Sequence, residues 1–127
     1  MLLLDSQVAL WLVDDNPRLG SMARERIERA PVVYVSAATI WELTIKSMLG
    51  KLDIPEGFET LLQAQGVASL AISAEHAAAI RGFPELIRHD PFDRLLVAQA
   101  QLERLDLLTA DRVLLASGHT FIVDATV

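Results

Sequence analysis

Short apolar runs alternate with amphipathic helical stretches along the whole chain, and most runs end on a residue suited to start a helix. Leu2–Leu4 meets Asp5-Ser6, residues 32–35 meet Ser36, 70–72 meet Ser73, and 107–109 lead to Asp111. A last run covers 120–123. Strand-forming segments separated by helices imply a parallel sheet with helices on both faces, an α/β fold of three layers. Crossovers in such sheets are right-handed, so every strand-to-helix turn opens on one edge of the sheet. Ligand sites lie on that edge, outside the carboxyl ends of the strands.

The helical segments are equally readable. The spacing predicts helices from Ser6 to about Val13, over 18–29, over 37–49, near 56–65, and from Ser73 to about Arg81. Ile40, Trp41, Thr44, Ile45 and Met48 follow a 3.6-residue period, and Gly50 supplies a stop. Asp90-Pro91 opens a helix to about Glu103 in the favoured order, N-cap then proline. Asp111 to Ala116 is a short one.

With 127 residues and no linker or repeat, the expectation is one domain spanning 1–127. The apolar content of 52% provides a large core, which argues against disorder. Cysteine is absent, removing disulfides and thiolate zinc sites. The start lacks the basic and apolar regions of a signal peptide, and no run is long enough to cross a bilayer. A cytoplasmic protein without membrane contact is expected. The net charge of −6 counts against a polyanionic partner unless bound cations or grouped basic residues offset it.

Four acids fall where the sheet edge should be. Asp5 follows the first strand, Asp111 follows the 107–109 strand, Asp93 is the third residue of the helix opened by Asp90-Pro91, and Glu42 lies inside the helix after the second strand. Each also has an ordinary structural use: Asp5 and Asp111 as caps, Asp93 as a first-turn acid, Glu42 as an i,i+4 partner of Lys46. Together they pose a problem. Carboxylates about 4 Å apart repel by several kcal/mol at an effective dielectric near 20. Such a cluster persists when some members hold protons or a cation lies between them. Mg²⁺ or Mn²⁺ suits carboxylate oxygens. His76, His89 and His119 show no ligand spacing, which turns the expectation away from zinc.

These blocks resemble a known family. Leu2-Leu-Leu-Asp-Ser-Gln-Val-Ala-Leu-Trp-Leu12, Ser36-Ala-Ala-Thr-Ile-Trp-Glu-Leu-Thr-Ile-Lys46 with Leu49-Gly-Lys-Leu52, His89-Asp-Pro-Phe-Asp-Arg-Leu-Leu-Val-Ala-Gln-Ala100 and Leu107-Leu-Thr-Ala-Asp111 are similar, in order, to the acidic blocks of PIN domains of the VapC toxin class. The resemblance implies a three-layer PIN-like α/β/α fold and a metal-dependent endoribonuclease with Mg²⁺ or Mn²⁺. It implies Asp5, Glu42, Asp93 and Asp111 as the acidic pocket, with Asp5 and Asp93 as the foremost metal ligands. Ser6 and Thr109 stand beside two of these acids, as orienting groups or as ordinary caps; Asp90 is a substitute for Asp93. Arg94 and Lys46 are candidates for a substrate phosphate, or a surface arginine and a partner of Glu42. Implied partners are an RNA substrate, a VapB-type antitoxin filling an apolar groove, and a second copy in a homodimer. Trp11 and Trp41 would serve either such a covered surface or the core. Gln7 departs from the pattern, standing where the family usually has Asn or His, and this points to weakened or altered activity.

Two other readings compete. A PIN-like domain that binds RNA without cutting it keeps the fold. A phospho-receiver domain would use Asp14 and Asp15 as its acidic pair at a strand end. The receiver reading fits poorly, because Asp53 lacks the usual spacing to proline and the last strand ends in Asp124 with no lysine.

Overall fold

A computed structural model describes all of residues 1–127. Five strands, β1 (Leu2–Leu4), β2 (Val33–Ser36), β3 (Val67–Leu70), β4 (Asp106–Thr109) and β5 (Ile122–Asp124), form one parallel sheet in the order β3-β2-β1-β4-β5. The helices are α1 (Ser6–Asp14), α2 (Ser21–Arg29), α3 (Ala37–Met48), α4 (Phe58–Ala64), α5 (Ala74–Ala79), α6 (Pro91–Glu103) and α7 (Arg112–Ala116). Two 3₁₀ turns, Ile80–Gly82 and Pro84–Leu86, join α5 to α6. No helix is long and apolar enough to cross a membrane.

The three layers follow from the period of two in a strand. In β1, Leu2 and Leu4 point to one side, where they meet Val8 and Trp11 of α1, Leu43 of α3 and Leu62 of α4. Leu3 points to the other, packing with Leu96, Val97 and Ala100 of α6 and Leu114 of α7. All three leucines are buried, as a central strand covered on both faces requires.

The strand order decides where a site can form. The chain leaves β1 to build β2 and β3 on one side, then returns to build β4 and β5 on the other. Helices therefore diverge above the β1–β4 boundary and leave a crevice at the carboxyl ends of those strands.

Four expectations shift, one of them the last strand, expected over 120–123 and found at Ile122–Asp124. The helix expected from position 18 begins at Ser21, because residues 17–20 turn instead and Gly20 caps it. Gly20 donates to the carbonyl of Ala125, and a Cβ there would lie 2.0 Å from the carbonyl oxygen of Val127. The third strand is Val67–Leu70 rather than 70–72, since Gly66 at φ 83° turns the chain straight from α4 into it. The helix capped by Ser73 gives way at Ile80 to 3₁₀ geometry. The acidic pair Asp14-Asp15 belongs to no strand: Asp14 ends α1, and Asp15 binds Arg24 at 2.7 Å on the surface. This removes the phospho-receiver reading.

The Gly20 contact is testable. Gly20→Ala should destabilise the fold by about 1–3 kcal/mol or more, read as a lower urea midpoint at unchanged slope. An unchanged midpoint would show that the last residues do not pack there.

Candidate active site

Each acid is delivered to the β1–β4 crevice by a helix start or a buried helix face. Asp5 is the N-cap of α1, and its Oδ1 accepts from the Val8 amide at 2.8 Å. Its Oδ2 accepts from the hydroxyl of Thr109, the last residue of β4. Thr109 in turn accepts from the Asp111 amide at 3.0 Å, so one buried hydroxyl links two of the acids. Asp111 caps α7 with Oδ1, which accepts from the amides of Val113 and Leu114, leaving Oδ2 turned to the crevice.

Asp93 lies in the first turn of α6, with Pro91 at its start. Glu42 belongs to the buried stripe of α3 with Ala38, Thr39 and Leu43, and is only 5% exposed. Both of its oxygens are engaged: Ser6 donates to Oε1, and Lys46 Nζ sits 2.9 Å from Oε2. The crevice is a cavity of about 500 Å³ walled by the four acids, with Gln7, Lys46 and Lys51 contributing to its lining.

One imidazole stands among the carboxylates. His89 Nε2 lies 3.2 Å from Asp93 Oδ2 and 3.3 Å from Asp111 Oδ2. The nitrogen is buried, yet it makes no properly directed hydrogen bond. An orphaned buried nitrogen among converging carboxylate oxygens fits a site for a divalent cation better than a set of satisfied ion pairs.

Residues 2–117 match the PIN domain family. The chain is also 32% identical over 119 residues to Ribonuclease VapC22 of Mycobacterium tuberculosis, covering 92% of each. The chain is a PIN domain of the VapC family. Solved structures agree on the fold. A chain from a toxin–antitoxin complex of Klebsiella pneumoniae superposes with a TM-score of 0.67 at 20% identity, covering 97% of this chain and 96% of that one. A chain from VapBC2 of Rickettsia felis, bound to a DNA fragment from its promoter, gives the same TM-score and coverage at 14% identity.

Charge is concentrated in this PIN domain's crevice, and the acids respond. Burial raises Asp5 to about 6, against the hydrogen bonds from Thr109 and Val8 that favour its charged form. Burial also raises Asp93 to about 7, aided by repulsion from Asp90, Asp111, Asp5 and Glu42. Lys46 is raised above its ordinary range, chiefly by its hydrogen bond to Glu42.

The remaining candidates divide. Ser6 and Thr109 each hold an acid by hydrogen bond. Asp90 is occupied as the cap of α6, with Oδ1 accepting from Phe92 at 2.8 Å and Asp93 at 3.3 Å, and it acts on Asp93 by repulsion. Arg94, though adjacent to Asp93, lines a separate cavity with Arg81, Phe83 and Ile87 and does not wall the acidic one. Helical geometry explains this, since neighbours in sequence point about 100° apart.

Sequence reasoning passed over Lys51 and set His89 aside for want of ligand spacing, whereas the fold brings its Nε2 to Asp93 and Asp111. His89 and Asp93 stand at i,i+4, but His89 precedes the cap of α6, and helical spacing is not normally counted from outside a helix.

The raised acids tie stability to pH. Well below the unfolded value of 3.8 both are protonated whether folded or unfolded. As pH rises from about 4 to 7, the folded state retains protons the unfolded chain has lost, so stability falls through that window by a few kcal/mol and then levels off. With chelator, the Tm should therefore be lower at pH 8 than at pH 5.5, and Asp93→Asn should flatten this slope. Added Mn²⁺ should raise the Tm more at pH 8, where protons no longer compete. A metal-induced gain equal at both pH values would contradict this coupling.

Proposed function

We propose that the chain is a metal-dependent endoribonuclease, the toxin of a VapB–VapC pair, which hydrolyses RNA phosphodiesters in the cytoplasm. The convergence of Asp5, Glu42, Asp93 and Asp111 on one crevice carries this reading. Similarity to a ribonuclease over 92% of the chain supports it.

The cofactor is Mg²⁺ or Mn²⁺, with Asp5 and Asp93 as the first ligands and Glu42 and Asp111 completing the pocket. When bound, such a cation supplies Lewis acidity that activates water and neutralises charge on the phosphoryl oxygens. The protein's own groups do the positioning. Thr109 and the Val8 amide orient Asp5. Ser6 and Lys46 hold Glu42 so that its carboxylate faces the cavity. Lys46 and Lys51 give the substrate phosphate cationic contacts at that cavity, which answers the acidic net charge locally. Gln7 presents an amide to the same space and adjusts how RNA sits there.

The partner assignments follow from the same relatives, two of which come from toxin–antitoxin assemblies. Trp11 is buried in the core, whereas Trp41 is 59% exposed and packs edge-to-face on Phe92 at 5.2 Å. Met48, Leu49 and Ile87 are also exposed. A VapB-class antitoxin and a second copy of the chain would cover such apolar surface.

Cleavage of RNA by purified protein tests the reading. Wild type should cut in Mn²⁺ or Mg²⁺ and stop in chelator, and Asp5→Asn or Asp93→Asn should lose roughly 100-fold or more. Equal cutting by all proteins in chelator would overturn the metal mechanism. Metal-independent retention of RNA with no cutting would instead establish a binding module without catalysis.

A further inference from the structure

We propose that His89 is a direct metal ligand, forming a His–Asp–Asp set with Asp93 and Asp111 that favours Mn²⁺ over Mg²⁺. This rests on the metal reading above and adds to it a nitrogen donor and a choice of ion.

The local chain makes His89 a fixed feature. It immediately precedes the cap Asp90, whose side chain closes the first turn of α6, and Pro91 restricts the backbone next to it. The His89 amide donates to the Leu86 carbonyl at 2.9 Å, tying the approach to the preceding 3₁₀ turn. The imidazole is thereby held over the first turn of α6, where Asp93 rises to meet it, with Asp111 arriving from the start of α7.

The geometry sets His89 apart from the protein's committed imidazole–carboxylate pair. His76 shows what a committed imidazole–carboxylate bond looks like in this protein: its Nε2 lies 2.8 Å from Glu103, while its Nδ1 accepts from the Ser73 amide. His89 Nε2 behaves differently. It is nearly equidistant from two carboxylate oxygens, at 3.2 and 3.3 Å, and directs a hydrogen bond at neither. Adjacent corners of an octahedron with bonds of about 2.1–2.2 Å lie about 3.0–3.1 Å apart. The three donor atoms also fall within 4.8 Å of one another, a span one small cation bridges with minor side-chain movement. The two spacings from His89 Nε2, 3.2 and 3.3 Å, are close to those of neighbouring corners around a common ion.

A nitrogen donor changes which ion is preferred. Mg²⁺ keeps oxygen ligands and several waters; Mn²⁺ shares its preference for carboxylate oxygen but, as a first-row transition ion, tolerates an imidazole nitrogen better. Asp90 does not substitute for His89, because its carboxylate is used on the amides of α6. His76 and His119 are paired with Glu103 and Glu85, away from the crevice, so His89 is the imidazole at the site.

Pulsed electron paramagnetic resonance of Mn²⁺ bound to the whole chain tests the ligand directly, because an imidazole ligand imprints ¹⁴N modulation on the echo. Wild type should show that modulation. His89→Gln should bind Mn²⁺ roughly 10-fold or more weakly, lose the modulation, and change its Mg²⁺ affinity by less than about 3-fold. His89→Asn serves if His89→Gln does not fold, and the wild-type spectrum requires no variant. Bound Mn²⁺ without ¹⁴N modulation in wild type overturns His89 as a ligand and leaves the metal nuclease standing. Modulation that survives both substitutions overturns it too. Failure of wild type to bind Mn²⁺ at all sinks the metal reading itself.

Discussion

Negative charge gathered at the boundary between β1 and β4 is the constraint around which the rest of this molecule is arranged. The strand order forces it there: the chain reverses direction across the sheet at β1, and the turns after β1 and β4 open side by side. Asp5 and Asp111 occupy those turns. Asp93 and Glu42 are brought over them by α6 and α3, which pack on opposite faces of the sheet and touch where Trp41 meets Phe92.

The fold tolerates the concentration of charge by engaging both oxygens of Asp5 and of Glu42 and one of Asp111, leaving Asp111 Oδ2 and the Asp93 carboxylate without a hydrogen bond. Asp5 and Asp111 each spend one oxygen on the amides of a helix start, where the helix dipole favours an anion. Thr109 joins the two by donating to one and accepting from the amide of the other. Glu42 is neutralised by Lys46 and fixed by Ser6. Asp93 has the least hydrogen-bond support, and burial, aided by repulsion from its acidic neighbours, makes its proton harder to remove than that of Asp5. A buried acid short of partners, raised by burial and by neighbouring charges in a cleft, marks a candidate functional position.

Much of this was legible in the chain. The alternation of apolar runs and caps located the sheet, and the positions of Asp5, Glu42, Asp93 and Asp111 after strands located one edge. Their ordinary uses and their convergence proved compatible: Asp5 and Asp111 are real N-caps and also face the crevice. What stayed hidden depended on long-range contact. The start of α2 is set by the packing of Gly20 on residues 125–127, which no local pattern encodes. Arg94 looked like a neighbour of Asp93, but the pitch of α6 carries it to another cavity. His89 escaped because its partners come from two helices and it belongs to neither.

The central claim is that acids distant in sequence form one cation site, and anomalous diffraction from crystals soaked in Mn²⁺ tests it most directly. A strong anomalous peak is expected in the β1–β4 crevice, about 2.0–2.6 Å from a carboxylate oxygen of Asp93 and from one of Asp5 or Asp111. A crevice without such a peak, in crystals that bind Mn²⁺ elsewhere on the surface, would contradict it.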